Sequence, residues 1–225
     1  MEFEMRKYAD EYDKTPVAYL ADLGILDEKV IAAHGIFFTD EDIEILKKNK
    51  VAVAHCIGAN TKSAKGVAPV QKMVEAGLRV GLGTDGPSSG NTLDLFTQMR
   101  MFANFQKTTL KDRSAFPARD IVRLATIGGA EVIGLDHQIG SLEKGKKADL
   151  VLVETDSVNM FPIFDAYSAL VYSANASNVQ MVFIDGKVVV QNKKLVHDEI
   201  SELRQNLDTE MIHFRKMAIK MSQNE

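Results

Sequence analysis

The chain has 225 residues, 45% hydrophobic and 26% charged, so it has enough apolar side chains for a sizeable core and is not a disordered polymer. The formal net charge is -4 and the lysines and arginines are scattered among acids, which speaks against a phosphate-tracking nucleic-acid surface. The single cysteine cannot form an internal disulfide, no apolar run approaches a membrane span and the amino terminus is no signal peptide, all of which predict a cytoplasmic protein.

Taken in chain order, Val30-Ile-Ala-Ala-His34-Gly35 is a short apolar run capped by an imidazole. The segment Thr39 to Asn49 starts with a capping Thr and acids and ends with lysines, as the helix dipole favours, and predicts a helix. Val51-Ala-Val-Ala-His55-Cys56 repeats the first pattern. Ala68 to Gly77 predicts a second helix, with Pro69 in its first turn and a closing glycine. Val80-Gly-Leu-Gly-Thr-Asp85 reads as a buried strand that stops on an acid inside a glycine-rich turn running to Asn91. From Leu93 to Phe105, Met and Phe residues recur at helical spacing and predict core.

Strand, helix, strand, helix, strand predicts a parallel sheet with crossover helices. In such sheets and barrels ligands sit at the carboxyl ends of the strands, where His34, His55 and Asp85 fall. Each has a plainer reading: a strand-end histidine is more often structural than chemical, and Asp85 in Gly-Thr-Asp-Gly can be a turn acid bonding its own backbone. Cys56 is expected as a buried, inert thiol. His137, His197 and His213 lie off the strand ends and are assigned nothing.

The tail changes character near residue 138. Ala148 to Val153 predicts a strand, and Val179 to Ile184 with Lys187 to Val190 flank Asp185-Gly186, a strong hairpin signal. Residues 199 to 221 predict an amphipathic helix, with Ile200, Leu203, Leu207, Met211, Phe214 and Met217 three or four apart.

An ordered series of motifs then carries a resemblance: Ala-Ala-His34; His55 followed by Asn60, Lys62, Gly66 and Ala68-Pro69-Val70; Gly83-Thr84-Asp85-Gly86 with Ser89, Asn91, Leu93 and Met99-Arg100. It continues through Ala125-Thr126, Gly128-Gly129-Ala130, Ile139-Gly140-Ser141-Leu142 and Gly145 to Leu150, and covers most of the chain to about residue 196. The chain resembles the metal-dependent amidohydrolases, in particular methylthioadenosine/S-adenosylhomocysteine deaminases and chlorohydrolase-like proteins.

The resemblance implies an α/β fold built as part of a TIM-type (β/α)8 barrel, its last strands and helices, over residues 1–138. It further implies part of a composite β-sandwich over 139–198 and a carboxyl-terminal helix over 199–225. It matches Asp85 to a metal ligand that also shuttles protons, and His34 to the histidine that polarises the attacked centre and steadies the hydroxide. His55 and Asn60 match substrate-contacting positions. The family's metal is held by a His-x-His pair, a further His and this Asp, with a general acid/base Glu in His-x-x-Glu. Neither motif occurs in the 225 residues.

The chain is therefore expected to be the carboxyl-terminal half of a zinc- or iron-dependent hydrolase of carbon–nitrogen bonds other than peptide bonds, deaminating a purine-type small molecule. Alone it is expected to be inactive, with no tightly bound metal. Open strand edges predict a homo-oligomer or assembly with the missing half. Two alternatives stay open: a non-catalytic binding or assembly module derived from such an enzyme, and chlorohydrolase- or guanine-deaminase-type activity. The seventh-strand segment reads His55-Cys-Ile-Gly-Ala-Asn60-Thr-Lys62-Ser63 where the family usually has His-Asn-Pro-x-Ser-Asn-x-Lys-Leu, which alters a substrate-facing loop.

Overall fold

A computed structural model describes residues 2–197 and 200–222. Two helices open the chain, α1 (Glu2–Tyr12) and α2 (Pro16–Asp22), the second started by Thr15, whose hydroxyl accepts from the Ala18 N–H. Then follow β1 (Ile31–Ala33), α3 (Asp40–Lys48), β2 (Ala52–His55), the short α4 (Ile57–Lys62), α5 (Val70–Glu75) and β3 (Val80–Leu82). The expected alternation of strand and helix holds. The three strands pair in parallel in the order β1-β2-β3, with Ala33 opposite Ala54 and His55 opposite Leu82.

Local chemistry explains the boundaries. Thr39 and Asp42 form a reciprocal capping box at the start of α3, and Lys47 and Lys48 sit in its last turn. α5 begins one residue after Pro69, which takes the capping position and not the first turn as expected. The central strand β2 has Ala52, Val53 and His55 buried, with β1 and β3 on its two edges and Val53 packed into the core. The core around it gathers Leu46, Val51, Ile57, Val70, Met73, Phe102 and Ile121.

Beyond β3 come α6 (Pro87–Gly90), α7 (Leu95–Leu110), α8 (Ala118–Ala125) and α9 (Ile127–Val132). The expectation of core along α7 is met by Met99 and Phe102, but Phe105 stays exposed on its outer face. At Gly81 of β3 a side chain would meet the Gly129 backbone at 2.9 Å, so the glycine permits close packing of α9 on the strand. A segment from Thr155 to Asn178 returns to this unit through α10 (Ala166–Ser168), a π-helical turn and a 3-10 turn. Arg100 Nη2 donates to the Ala174 carbonyl at 2.7 Å and ties that segment to α7.

A second compact unit comprises Ala148–Glu154 and the chain from Val179 onward. Its strands β4 (Leu150–Val153), β5 (Val179–Ile184), β6 (Lys187–Gln191) and β7 (Lys194–Leu195) form an antiparallel sheet in that order. The β5–β6 hairpin turns at Asp185 and Gly186, both at positive φ, as its Asp-Gly sequence predicts. The last helix, α11 (Ile200–Ser222), has no buried residue among those described. Of the expected segment, Glu199 lies outside the described residues.

Candidate active site

The end of β1 is bent by a three-residue turn. The Gly35 N–H donates to the Ala33 carbonyl at 2.8 Å, with His34 between them at φ +68°. Asp85, two residues beyond Gly83, also has positive φ, +60°. Left-handed backbone at a residue with a side chain costs about 1–3 kcal/mol and concentrates at functional sites. Both strained residues of this sheet end are ones the sequence singles out.

They face one another. His34 Nε2 lies 3.8 Å from Asp85 Oδ2, and both side chains are about a third exposed, at 31% and 29%. The other carboxylate oxygen, Oδ1, accepts from the Gly86 N–H at 2.7 Å. The other imidazole nitrogen, Nδ1, lies 2.8 Å from Asn60 Oδ1. The Asp85 turn is held tight: the Thr84 hydroxyl donates to the Asp85 carbonyl, and a side chain at Gly90 would strike the Thr84 carbonyl at 2.6 Å.

His34 and Asp85 share a cleft of about 340 Å³ with Asn60, Lys62, Ser63 and Ser89 on its walls. Lys62 is not a loose cation, since its ammonium donates to the Ser89 carbonyl at 2.8 Å and to Asn91 Oδ1. It braces α4 against the loop that carries Asp85. The sequence points to Lys62 and Ser89 only through the Asn60-x-Lys62 spacing and the Pro-Ser-Ser-Gly turn, and gives neither a role. A larger hollow of about 720 Å³ lies at the opposite, amino-terminal ends of the strands. There Arg79 is spent on the Glu131 and Lys50 carbonyls, and chemistry in parallel α/β folds belongs at the other end.

Three of the four sequence-chosen residues, His34, Asn60 and Asp85, line the cleft. His55 does not. It is fully buried, stacks edge-on against Phe102 at 5.6 Å, and its Nδ1 lies 3.4 Å from the His34 carbonyl. Burial drives its pKa down to about 4, with the nearby His34 charge acting in the same direction and the contact to the His34 carbonyl opposing. His55 is thus neutral at ordinary pH. Cys56 is buried and burial raises its pKa, so its thiol is unreactive. His137, His197 and His213 are exposed.

A catalytic zinc site takes three protein donors and an open position. Among the described residues no group of three or more His, Cys, Asp and Glu is arranged to hold a metal ion. Asp85 Oδ2 and His34 Nε2 face each other at 3.8 Å, and two such groups fall short of the three donors required. These residues alone do not fit a catalytic metal.

Residues 5–189 match the model of the amidohydrolase family. The 5-methylthioadenosine/S-adenosylhomocysteine deaminase of Thermoanaerobacter pseudethanolicus is 38% identical over 205 residues, 91% of this chain and 48% of that protein. The 5'-deoxyadenosine deaminase of Methanobrevibacter smithii is 41% identical over 193 residues, 85% of this chain and 44% of that protein. Among solved structures, an adenosine deaminase from Xanthomonas campestris with bound zinc superposes with a TM-score of 0.90 at 32% identity, covering 95% of this chain and 48% of that one. Atrazine chlorohydrolase from Arthrobacter aurescens complexed with zinc gives 0.85 at 26% identity, covering 92% and 46%. The chain spans about half the length of the curated relatives it matches. With the family model matched over most of its length and its motif residues gathered at one strand-end cleft, the chain belongs to the amidohydrolase family.

Proposed function

We propose that this chain supplies the His34 and Asp85 portion of a metal-dependent amidohydrolase that removes the amino group of an adenosine-type substrate, such as methylthioadenosine or S-adenosylhomocysteine, by hydrolysis. The observation that carries the reading is that His34 Nε2 and Asp85 Oδ2 face each other, 3.8 Å apart, in an open polar cleft. The deaminase names of the relatives at 38% and 41% identity supply the substrate class. The chlorohydrolase likeness is weaker, at 26%.

In this reading Asp85 takes a proton from the attacking water and returns it to the departing amino nitrogen, while His34 Nε2 holds the water in line. A divalent metal, zinc by analogy with the neighbours, belongs to the reaction, with Asp85 as one donor and the rest from outside these 225 residues. The parallel sheet is read as the last strands of a (β/α)8 barrel, and the antiparallel sheet as part of a β-sandwich. Among the described residues β1 and β3 each pair only with β2, so their outer edges are open to the strands of an amino-terminal half or of a second copy. Closure by such a half is what this reading requires for turnover.

The test is ammonia release from methylthioadenosine and S-adenosylhomocysteine, and chloride release from a chlorotriazine, measured with zinc. The chain is assayed alone and then joined to the amino-terminal half of the Thermoanaerobacter deaminase. The expected result is no turnover alone, deamination of the two nucleosides by the joined protein, and a loss of 100-fold or more, roughly, in Asp85→Asn. Specific deamination by the chain alone, or a joined Asp85→Asn protein with undiminished rate, overturns the proposal.

A further inference from the structure

His34 is gripped at three points, all from the strand and helix that follow it in space. Its N–H donates to the Ala54 carbonyl at 2.9 Å. Its carbonyl faces His55 Nδ1 at 3.4 Å, and its ring Nδ1 faces Asn60 Oδ1 at 2.8 Å. Asn60 is 1% exposed and its Nδ2 is buried without a partner, so the amide has one strong engagement, the imidazole. A carboxamide oxygen has only lone pairs, so a ring nitrogen at that distance must carry the proton and donate. Neutral imidazole has a single N–H. Placing it on Nδ1 leaves Nε2 as a lone pair pointing toward Asp85.

We propose that Asn60 and His55 are positioning residues for His34: Asn60 holds the ring in its Nδ1–H tautomer, and His55 fixes the strained turn on which the ring is mounted. The inference rests on the reading of His34 as part of the site and adds how its reactive nitrogen is chosen. Two acceptors, His34 Nε2 and Asp85 Oδ2, then face each other beyond direct hydrogen-bonding distance. Such a gap takes a bridging donor, a water or an N–H of the substrate, and Nε2 is ready to accept a hydrogen bond from it and so hold it in line for Asp85. A ring with its proton on Nε2 closes that gap by pointing a donor at Asp85, and cannot accept from the attacking water. The short side chain at Asn60 thus selects accepting over donating chemistry at His34.

The experiment is a long-range proton–nitrogen spectrum of the nitrogen-labelled full chain at about pH 8, above the ordinary imidazole pKa of ~6.5, with His34 assigned by His34→Gln. The readout requires no turnover, so a failed deaminase reading leaves it untouched. The expected result is a protonated Nδ1 and unprotonated Nε2 for His34 in the parent. Asn60→Asp keeps that pattern, since a carboxylate also accepts from Nδ1–H. Asn60→Ala loses it, and the two nitrogen signals move toward each other as the tautomers average. A merely structural role for Asn60 leaves the tautomer unmoved. A parent His34 protonated on Nε2, or an Asn60→Ala spectrum unchanged from the parent, overturns the proposal. Should Asn60→Ala not fold, the parent and Asn60→Asp spectra decide it.

Discussion

At Gly81 the backbones of β3 and α9 come close together under the site, and replacing it with alanine measures how tightly β3 is seated. The added Cβ would lie 2.9 Å from Gly129 Cα, 3.1 Å from Gly129 N and 3.2 Å from Val132 Cγ2. Two of these are backbone atoms of α9, which cannot swing aside as a side-chain tip can. Overpacking of this kind costs about 1–3 kcal/mol, and the lower entropy of an unfolded alanine returns about 0.4–1 kcal/mol. The net expectation is a loss of about 1–2 kcal/mol, or roughly 3–7 °C in Tm for a unit of this size. Gly86 is the control: its backbone is extended, with φ -71° and ψ 160°, and a Cβ there would meet nothing nearer than Ser88 Oγ at 3.7 Å. Gly86→Ala is expected to match the parent. Thermal unfolding followed by circular dichroism reads both. Equal stability of the two variants refutes the steric account of β3 and α9.

Other expectations follow from the same contacts. Asp42 serves both the α3 capping box and the Thr15 hydroxyl while 1% exposed, so Asp42→Ala should destabilise by about 2 kcal/mol in denaturant titration, against about 1 for Thr39→Ala. His55 titrates near 4 when folded and near 6.5 when unfolded, so the unfolded chain binds more protons between those values. Its contribution is fully present above about pH 6.5 and is lost as pH falls toward 4, with a slope of up to about 1.4 kcal/mol per pH unit. Between about pH 5 and 6.5, His55→Gln should flatten the pH dependence of stability, and an unchanged slope contradicts the burial argument. Cys56 should react with a thiol reagent only on unfolding; rapid labelling of the native chain contradicts its burial.

The parts of this architecture that are legible in sequence are those decided locally. Thr39 with Asp42 three residues on, the lysines at the end of α3 and Asp185-Gly186 between two apolar runs each act on their own neighbourhood, and each shows in the structure. The short α4 has no clear local signature, because it contains Gly58 and no side chain caps its amino-terminal end. His34 and His55 look alike in sequence, an imidazole ending an apolar run. Only tertiary packing separates them, since Phe102 and the His34 carbonyl close over His55 while a turn at φ +68° lifts His34 to the rim. The bond between Asn60 and His34 spans 26 positions and no local pattern announces it.

Zinc content tests the central claim most directly. The chain alone and the chain joined to an amino-terminal amidohydrolase half are each equilibrated with zinc, dialysed, and measured for bound metal by mass spectrometry. The account predicts about one zinc in the joined protein, lost in Asp85→Asn, and none retained by the chain alone. One tightly held zinc in the isolated chain, or a joined protein whose zinc ignores Asp85→Asn, contradicts it.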